Sequence, residues 1–237
     1  MPIDVKICGL TTRASVEAAA RGGARFLGFV FFRPSPRFVA PVGVAALAAG
    51  LLPAGVIRVG LLVDPSDEDL AAVDRNALEM LQLHGRETPE RVAEIKMRLG
   101  LPIIKAIAVA DAGDLDRARA YESVADRLLF DARAPKGASR PGGNAVTLDW
   151  RLLRSRTWRV PWMLAGGLCH ANLKEAVAAS GAAAVDVSSG VEDKEGIKST
   201  RKIRALLALA AALDPPSVEP APGRRETAGA DLKVAKQ

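Results

Sequence analysis

Short apolar runs alternate with longer, Ala-rich amphipathic stretches along this chain, and the alternation repeats eight times. The short runs, at residues 5–8, 25–31, 57–63, 80–83, 103–108, 127–130, 162–164 and 184–187, predict strands. Between them, apolar positions recur at helical spacing and predict helices that include 13–21, 67–76, 89–99, 114–121, 172–179 and 200–213. Boundary residues support several of these. Thr12 and Ser66 stand where a helix wants a side-chain acceptor for its first free amides, and Thr88 precedes Pro89, whose fixed φ suits a first helical position. Gly22-Gly23 and Gly181 follow helices at points that call for a left-handed terminal residue.

Strict βα alternation means parallel strands joined by right-handed crossovers. Eight such units favour closure into a (β/α)8 TIM barrel over an open sheet, and a chain of 237 residues suits one barrel domain. The expected domain is 1–213. From about Pro215 the text changes to Pro-Pro-Ser-Val-Glu-Pro-Ala-Pro-Gly, which lacks apolar periodicity, so 214–237 is expected to be a disordered tail.

With aromatics at only 4% and hydrophobic residues at 49%, the core has to be filled mainly by Ala, Val, Leu and Ile. The formal charge of +6 is spread among acidic residues instead of massed in one stripe. Without stacking aromatics beside it, that charge argues for an anionic small substrate and against nucleic acid. There is no basic-then-apolar leader and no apolar run near the ~20 residues of a membrane helix. Cys8 and Cys169 form no CxxC motif, which suits a reducing compartment, and no disulfide between them is expected. A cytoplasmic protein with no membrane partner is expected. His84 and His170 are too few for a His-rich metal site, so chemistry without metal or cofactor is the expectation.

In a barrel, function collects where strands end. Strand one ends Lys6-Ile7-Cys8-Gly9, and strand two leads into Arg33-Pro34-Ser35-Pro36-Arg37. Strand four ends Gln82-Leu83-His84-Gly85, strand six Phe130-Asp131, strand seven Gly166-Gly167, and strand eight Asp186-Val187-Ser188-Ser189-Gly190. The glycines and serines after strands seven and eight let backbone amides approach a phosphate closely. Cys8 is either a small buried apolar residue or, as a thiolate at the mouth, a general base. Lys6, about 6.6 Å away on the same strand face, either lowers the thiol's pKa or pairs with an interior carboxylate. Asp131 either caps a loop or, in a water-poor mouth, serves as a general acid. Either Arg37 or Arg33 could hold a carboxylate bidentately. Asp186 either orients a substrate hydroxyl or pairs with an interior cation.

Six stretches together resemble the phosphoribosylanthranilate isomerase family. They are Lys6-Ile7-Cys8-Gly9-Leu10-Thr11, Gly28-Phe29-Val30-Phe31 with Ser35-Pro36-Arg37, Val59-Gly60-Leu61-Leu62-Val63, Gln82-Leu83-His84-Gly85, Leu164-Ala165-Gly166-Gly167-Leu168, and 185–192. The resemblance spans roughly 3–210. It implies an Amadori rearrangement of N-(5′-phosphoribosyl)anthranilate in tryptophan biosynthesis, with Asp131 as acid and Cys8 as base. It also implies that Arg37 binds the anthranilate carboxylate, that loops seven and eight bind phosphate, and that Gln82, His84 and Asp186 line the substrate. The chain has Gly142-Gly143-Asn144-Ala145 where many members carry Gly-Gly-Thr-Gly or Gly-Gly-Ser-Gly, in a loop suited to a mobile lid. Three rival readings are a histidine-pathway barrel isomerase, which uses Asp where this chain has Cys8, an indole-closing barrel enzyme using a lysine such as Lys105, and a non-catalytic scaffold. Monomer and homodimer are both compatible with the sequence.

Overall fold

The computed structural model describes residues 2–50, 52–133 and 148–214, so most of the loop after Asp131 and all but the first residue of the tail expected at 214–237 lie outside the described residues. Eight parallel strands close into a barrel in sequence order: β1 Asp4–Cys8, β2 Phe26–Val30, β3 Ile57–Leu62, β4 Met80–Leu83, β5 Ile103–Val109, β6 Arg127–Ala132, β7 Trp162–Leu164 and β8 Ala184–Val187. β1 pairs with β8 as well as with β2, in a register that sets Lys6 opposite Asp186.

Eight helices are interleaved: α1 Arg13–Arg21, α2 Val44–Ala48, α3 Asp67–Ala71, α4 Pro89–Leu99, α5 Ala112–Ala118, α6 Arg151–Arg154, α7 Leu173–Ser180 and α8 Thr200–Ala211. Thr12 and Ser66 cap α1 and α3 through reciprocal boxes with Ser15 and Asp69, and the Thr88 hydroxyl accepts from Arg91 N ahead of α4. Gly181 is left-handed as expected (φ 78°), but after α1 it is Gly23 (φ 93°) that turns the chain while Gly22 stays right-handed.

Several sequence expectations need correcting. The helix expected over 67–76 stops at Ala71 and gives way to a 3-10 turn at Arg75–Ala77. The one expected from 114 begins at Ala112, because Asp111 accepts from Gly113 N and Asp114 N and starts it earlier. β6 continues to Ala132, so Asp131 sits within a strand and not at its end. A short hairpin, β9 Glu192–Lys194 and β10 Ile197–Lys198, follows β8 and has no counterpart in the sequence reading.

Strand alternation divides the core in two. Inward residues Phe26, Val59, Ile104, Ala106, Leu129, Met163, Ala165 and Ala184 fill the barrel, and Arg127 lies over the Phe26 ring at 5.2 Å. Outward residues such as Ile7, Leu27, Leu81, Leu128 and Val185 meet the helices, where Val16, Ile95, Leu173, Ile203 and Leu206 supply the apolar stripes. Lys105 belongs to this outer layer. Its ammonium donates to Glu87 Oε2 at 2.7 Å and Gly85 O at 2.9 Å, and lies 5.6 Å from the centroid of the Tyr121 ring. A lysine facing the helices cannot act as an acid in the barrel mouth, which removes the indole-closing reading.

Glu87 also accepts from Asp64 N and Gly85 N, so one buried ion pair ties together the loops that follow β3 and β4. Lys105→Met leaves that carboxylate buried without its cation and is expected to cost about 3–5 kcal/mol. Urea denaturation measures this, and a loss under about 1 kcal/mol would show that the pair is dispensable.

Candidate active site

The inward positions at the C-terminal ends of the strands form one polar cluster. Ile7 packs outward, so its neighbours Lys6 and Cys8 point into the barrel, and both are buried. The Lys6 ammonium donates to Asp186 Oδ1 at 3.0 Å. Lys6 and Cys8 share the space that a side chain on Gly28 would fill. A Cβ there would come within 3.0 Å of Cys8 Sγ and 3.1 Å of Lys6 Nζ.

The two sequence alternatives for Lys6 therefore hold together: it pairs with an interior carboxylate and also lies beside the thiol. Burial disfavours the Lys6 charge, but Asp186 and Cys8 outweigh that and hold its pKa above the ordinary value. For Cys8 burial dominates and pushes the thiol up, with Lys6 pulling in the opposite direction. The expected lowering is real as a contribution, yet desolvation outweighs it.

Across the mouth, β6 carries Asp131 inward, two residues beyond the interior Leu129. His84 Nε2 lies 3.2 Å from Asp131 Oδ2, and His84 Nδ1 lies 2.8 Å from Gln82 Nε2. Gln82 thus holds the imidazole through Nδ1 and leaves Nε2 to face the Asp131 carboxyl. Gln82, His84 and Asp131 form one chain across β4 and β6, and on the intervening β5 the residue paired with Asp131 is the small Ala108.

Of the two candidate arginines, Arg33 is exposed and lies 5.4 Å from the centroid of the Phe38 ring. Arg37 is buried against Gly9, immediately after Cys8, and its Nε and Nη2 each donate to a Glu192 oxygen at 2.7 Å. Burial disfavours the Arg37 charge, but hydrogen bonding to Glu192 and its charge raise the guanidinium pKa. The carboxylate that Arg37 clamps in this structure is thus one of the protein's own. Glu192 was not singled out in the sequence reading, although it closes the 185–192 stretch.

Loops seven and eight are stitched together by a bridge between Cys169 and Gly190. Gly166 (φ 93°) and Gly167 (φ 61°) are both left-handed, a pair of conformations that side chains resist. Asn172, also missed from sequence, braces this turn. Its Oδ1 accepts from Cys169 N at 2.8 Å and its Nδ2 donates to Gly167 O at 3.0 Å. Ser188 Oγ donates to Cys8 O at 3.1 Å and Ser189 is half-exposed beside it, so loop eight starts directly against the base candidate. Gly190 sits where a Cβ would strike Leu168 O, which ties it to loop packing. Among the described residues no group of three or more His, Cys, Asp and Glu could hold a metal ion.

Residues 5–208 match the family described as N-(5'phosphoribosyl)anthranilate (PRA) isomerase. The chain belongs to this family. A relative named N-(5'-phosphoribosyl)anthranilate isomerase from Paramagnetospirillum magneticum is 56% identical over 211 residues, covering 89% of this chain and 98% of its own. One of the same name from Paracoccus denitrificans is 53% identical, covering 90% and 99%. The solved phosphoribosyl anthranilate isomerase of Thermotoga maritima superposes with a TM-score of 0.76 at 34% identity, covering 89% of this chain and all of that one. A further structure of such an isomerase, in complex with reduced 1-(o-carboxyphenylamino)-1-deoxyribulose 5-phosphate, has a TM-score of 0.75 at 32% identity, with the same coverage.

The six sequence stretches through which the chain resembles phosphoribosylanthranilate isomerases all converge on this mouth or on the strands that build it. Because Lys6 opposes the effect of burial, Lys6→Met is expected to raise the Cys8 thiol pKa further. The pH dependence of Cys8 alkylation reads this directly; an unshifted profile would show that the two groups are uncoupled.

Proposed function

We infer that this chain isomerises N-(5′-phosphoribosyl)anthranilate to 1-(2-carboxyphenylamino)-1-deoxyribulose 5-phosphate, a step of tryptophan biosynthesis, using general acid and base groups. The observation that carries the residue assignment is the opposition of two inward groups at the mouth, Cys8 on β1 and the His84-linked Asp131 on β6. They are separated on one side by β7 and β8, whose loops form the candidate phosphate nest.

In this reading Asp131 gives its proton to the ribose ring oxygen. The C1′–O bond breaks as the anilino nitrogen lone pair forms a protonated Schiff base, and the ring oxygen leaves as a hydroxyl. The Cys8 thiolate then takes the C2′ proton, and the electron pair moves in to neutralise the iminium and give an enolamine. Tautomerisation, with a proton delivered to C1′, yields the ketone. His84 Nε2 lies 3.2 Å from the Asp131 carboxyl, and Gln82 holds the imidazole's orientation through Nδ1. The positive charge on the Schiff base arises beside a thiol that burial holds in its neutral form, so the thiolate is favoured most when it is needed.

Arg37 takes the anthranilate carboxylate. Gly166, Gly167, Ser188, Ser189 and Gly190 surround the phosphate, with left-handed glycines turning amides toward it. Asp186 holds Lys6 and lines the sugar side of the mouth. No described helix is long and apolar enough to cross a membrane, and we place the enzyme in the cytoplasm with a small anionic molecule as its partner. A relative from Thermotoga maritima is described as dimeric, so a homodimer is one of the two assemblies the chain can adopt.

The test is the fluorescence decay of freshly made substrate. Wild type is expected to turn it over, and Cys8→Ser and Asp131→Asn are each expected to lose about 10²–10⁴-fold in kcat. Full activity in either variant would mean that its role is misassigned. Because the base must be a thiolate and burial raises its pKa, kcat/KM is expected to climb with pH through the alkaline range. A profile flat above neutrality would argue against a thiol base.

A further inference from the structure

The Arg37–Glu192 pair lies within a larger assembly. Glu192 Oε1 also accepts from Lys198 Nζ at 2.6 Å, and Oε2 accepts from Gly196 N at 3.1 Å. Lys198 Nζ completes its set with Ser188 O at 2.9 Å and Ser188 Oγ at 3.2 Å. Glu192 and Lys198 face each other across the β9–β10 hairpin. The hairpin turn presses on the loop that carries Arg37: Gly196 is left-handed (φ 78°), and a Cβ there would come 2.7 Å from Pro36 O. The side chains of Arg37, Glu192 and Lys198 are each 4% exposed or less.

Burying an arginine and a glutamate together makes a neutral pair, which offers an incoming anion little attraction. The bidentate bond uses Nε and one Nη2 proton. That leaves Nη1 outside the Glu192 bond. A third buried charge is costly for folding, and burial depresses the Lys198 pKa despite Glu192. What Lys198 supplies is a net positive charge on the trio. Glu195, which also acts on Arg37, is exposed, unlike the buried trio.

We propose that Glu192 and Lys198 are positioning and specificity-determining residues. Glu192 fixes the orientation of the Arg37 guanidinium, and Lys198 keeps the clamp cationic, so that the aryl carboxylate of the substrate is the charge that completes it. This rests on the assignment of Arg37 to that carboxylate. The clamp is assembled before the substrate arrives, so no ordering of the arginine is left to be done on binding.

The experiment compares binding of two probes, reduced 1-(o-carboxyphenylamino)-1-deoxyribulose 5-phosphate and its counterpart lacking the carboxyl, alongside steady-state kinetics. Lys198→Met is expected to weaken the carboxylated probe about tenfold or more while leaving the other within about twofold, and Lys198→Arg should restore most of the loss. Glu192→Gln is expected to keep or tighten binding of the carboxylated probe but to lower kcat about tenfold, because the arginine is cationic but unaligned. The double variant, Glu192→Gln with Lys198→Met, returns the net charge to +1, so it should recover binding relative to Lys198→Met but not kcat. Should Lys198→Met fail to fold, Glu192→Gln against the double variant carries the comparison. Equal weakening of both probes by the Lys198 variants would overturn the proposal and leave the hairpin as a brace. If Arg37→Met leaves the preference for the carboxylated probe intact, the Arg37 assignment itself fails, a distinct outcome.

Discussion

Lys6 and Asp186 meet at 3.0 Å inside the barrel, on the two strands whose pairing closes it. Neither charge could be held there alone, since an unpaired buried ion costs several kcal/mol. The register that places Lys6 opposite Asp186 is therefore both a hydrogen-bonding solution for the backbone and an electrostatic one for the side chains. It also settles the surroundings of Cys8. The thiol rests on the same interior face, above Gly28, with a fixed cation beside it and a fixed anion just beyond.

Around that pair the mouth is divided by charge. The side formed by β1, β8 and the loop after β2 carries Lys6, Lys198 and Arg37, neutralised in part by two carboxylates: Asp186 for Lys6 and a shared Glu192 for the other two. The side formed by β4 and β6 carries the Gln82–His84–Asp131 chain. In the proposed mechanism, anion binding and proton delivery are thus kept apart across the barrel. An acid placed among the cations would lose its proton too readily to serve as a donor. Between the two lie loops seven and eight, stitched at Cys169 and Gly190 and braced by Asn172.

Much of the strand frame was legible in the sequence. The runs at 80–83, 162–164 and 184–187 fall on β4, β7 and β8 without adjustment, because a buried parallel strand is mostly apolar and is bounded by polar turns. The caps at Thr12, Ser66 and Thr88 were legible because they are local: donor and acceptor lie within one turn. The shortening of the 67–76 helix was not, nor were α2, α6 and the β9–β10 hairpin. These are brief elements whose stability comes from packing against neighbours more than from their own periodicity.

At the site, the residue types at the strand ends were determined by the sequence itself: a thiol, a carboxyl, an arginine and glycines in a set order imply a base, an acid, an anion clamp and a phosphate nest. What only the tertiary structure decided was which groups neutralise which. It buried Arg37 and left Arg33 exposed, turned Lys105 out toward the helices, linked His84 to Asp131 across β5, and gave Arg37 to Glu192. Those pairings join residues up to 155 positions apart. Coulombic and desolvation energies depend on distance and burial in three dimensions, and pattern along the chain carries neither.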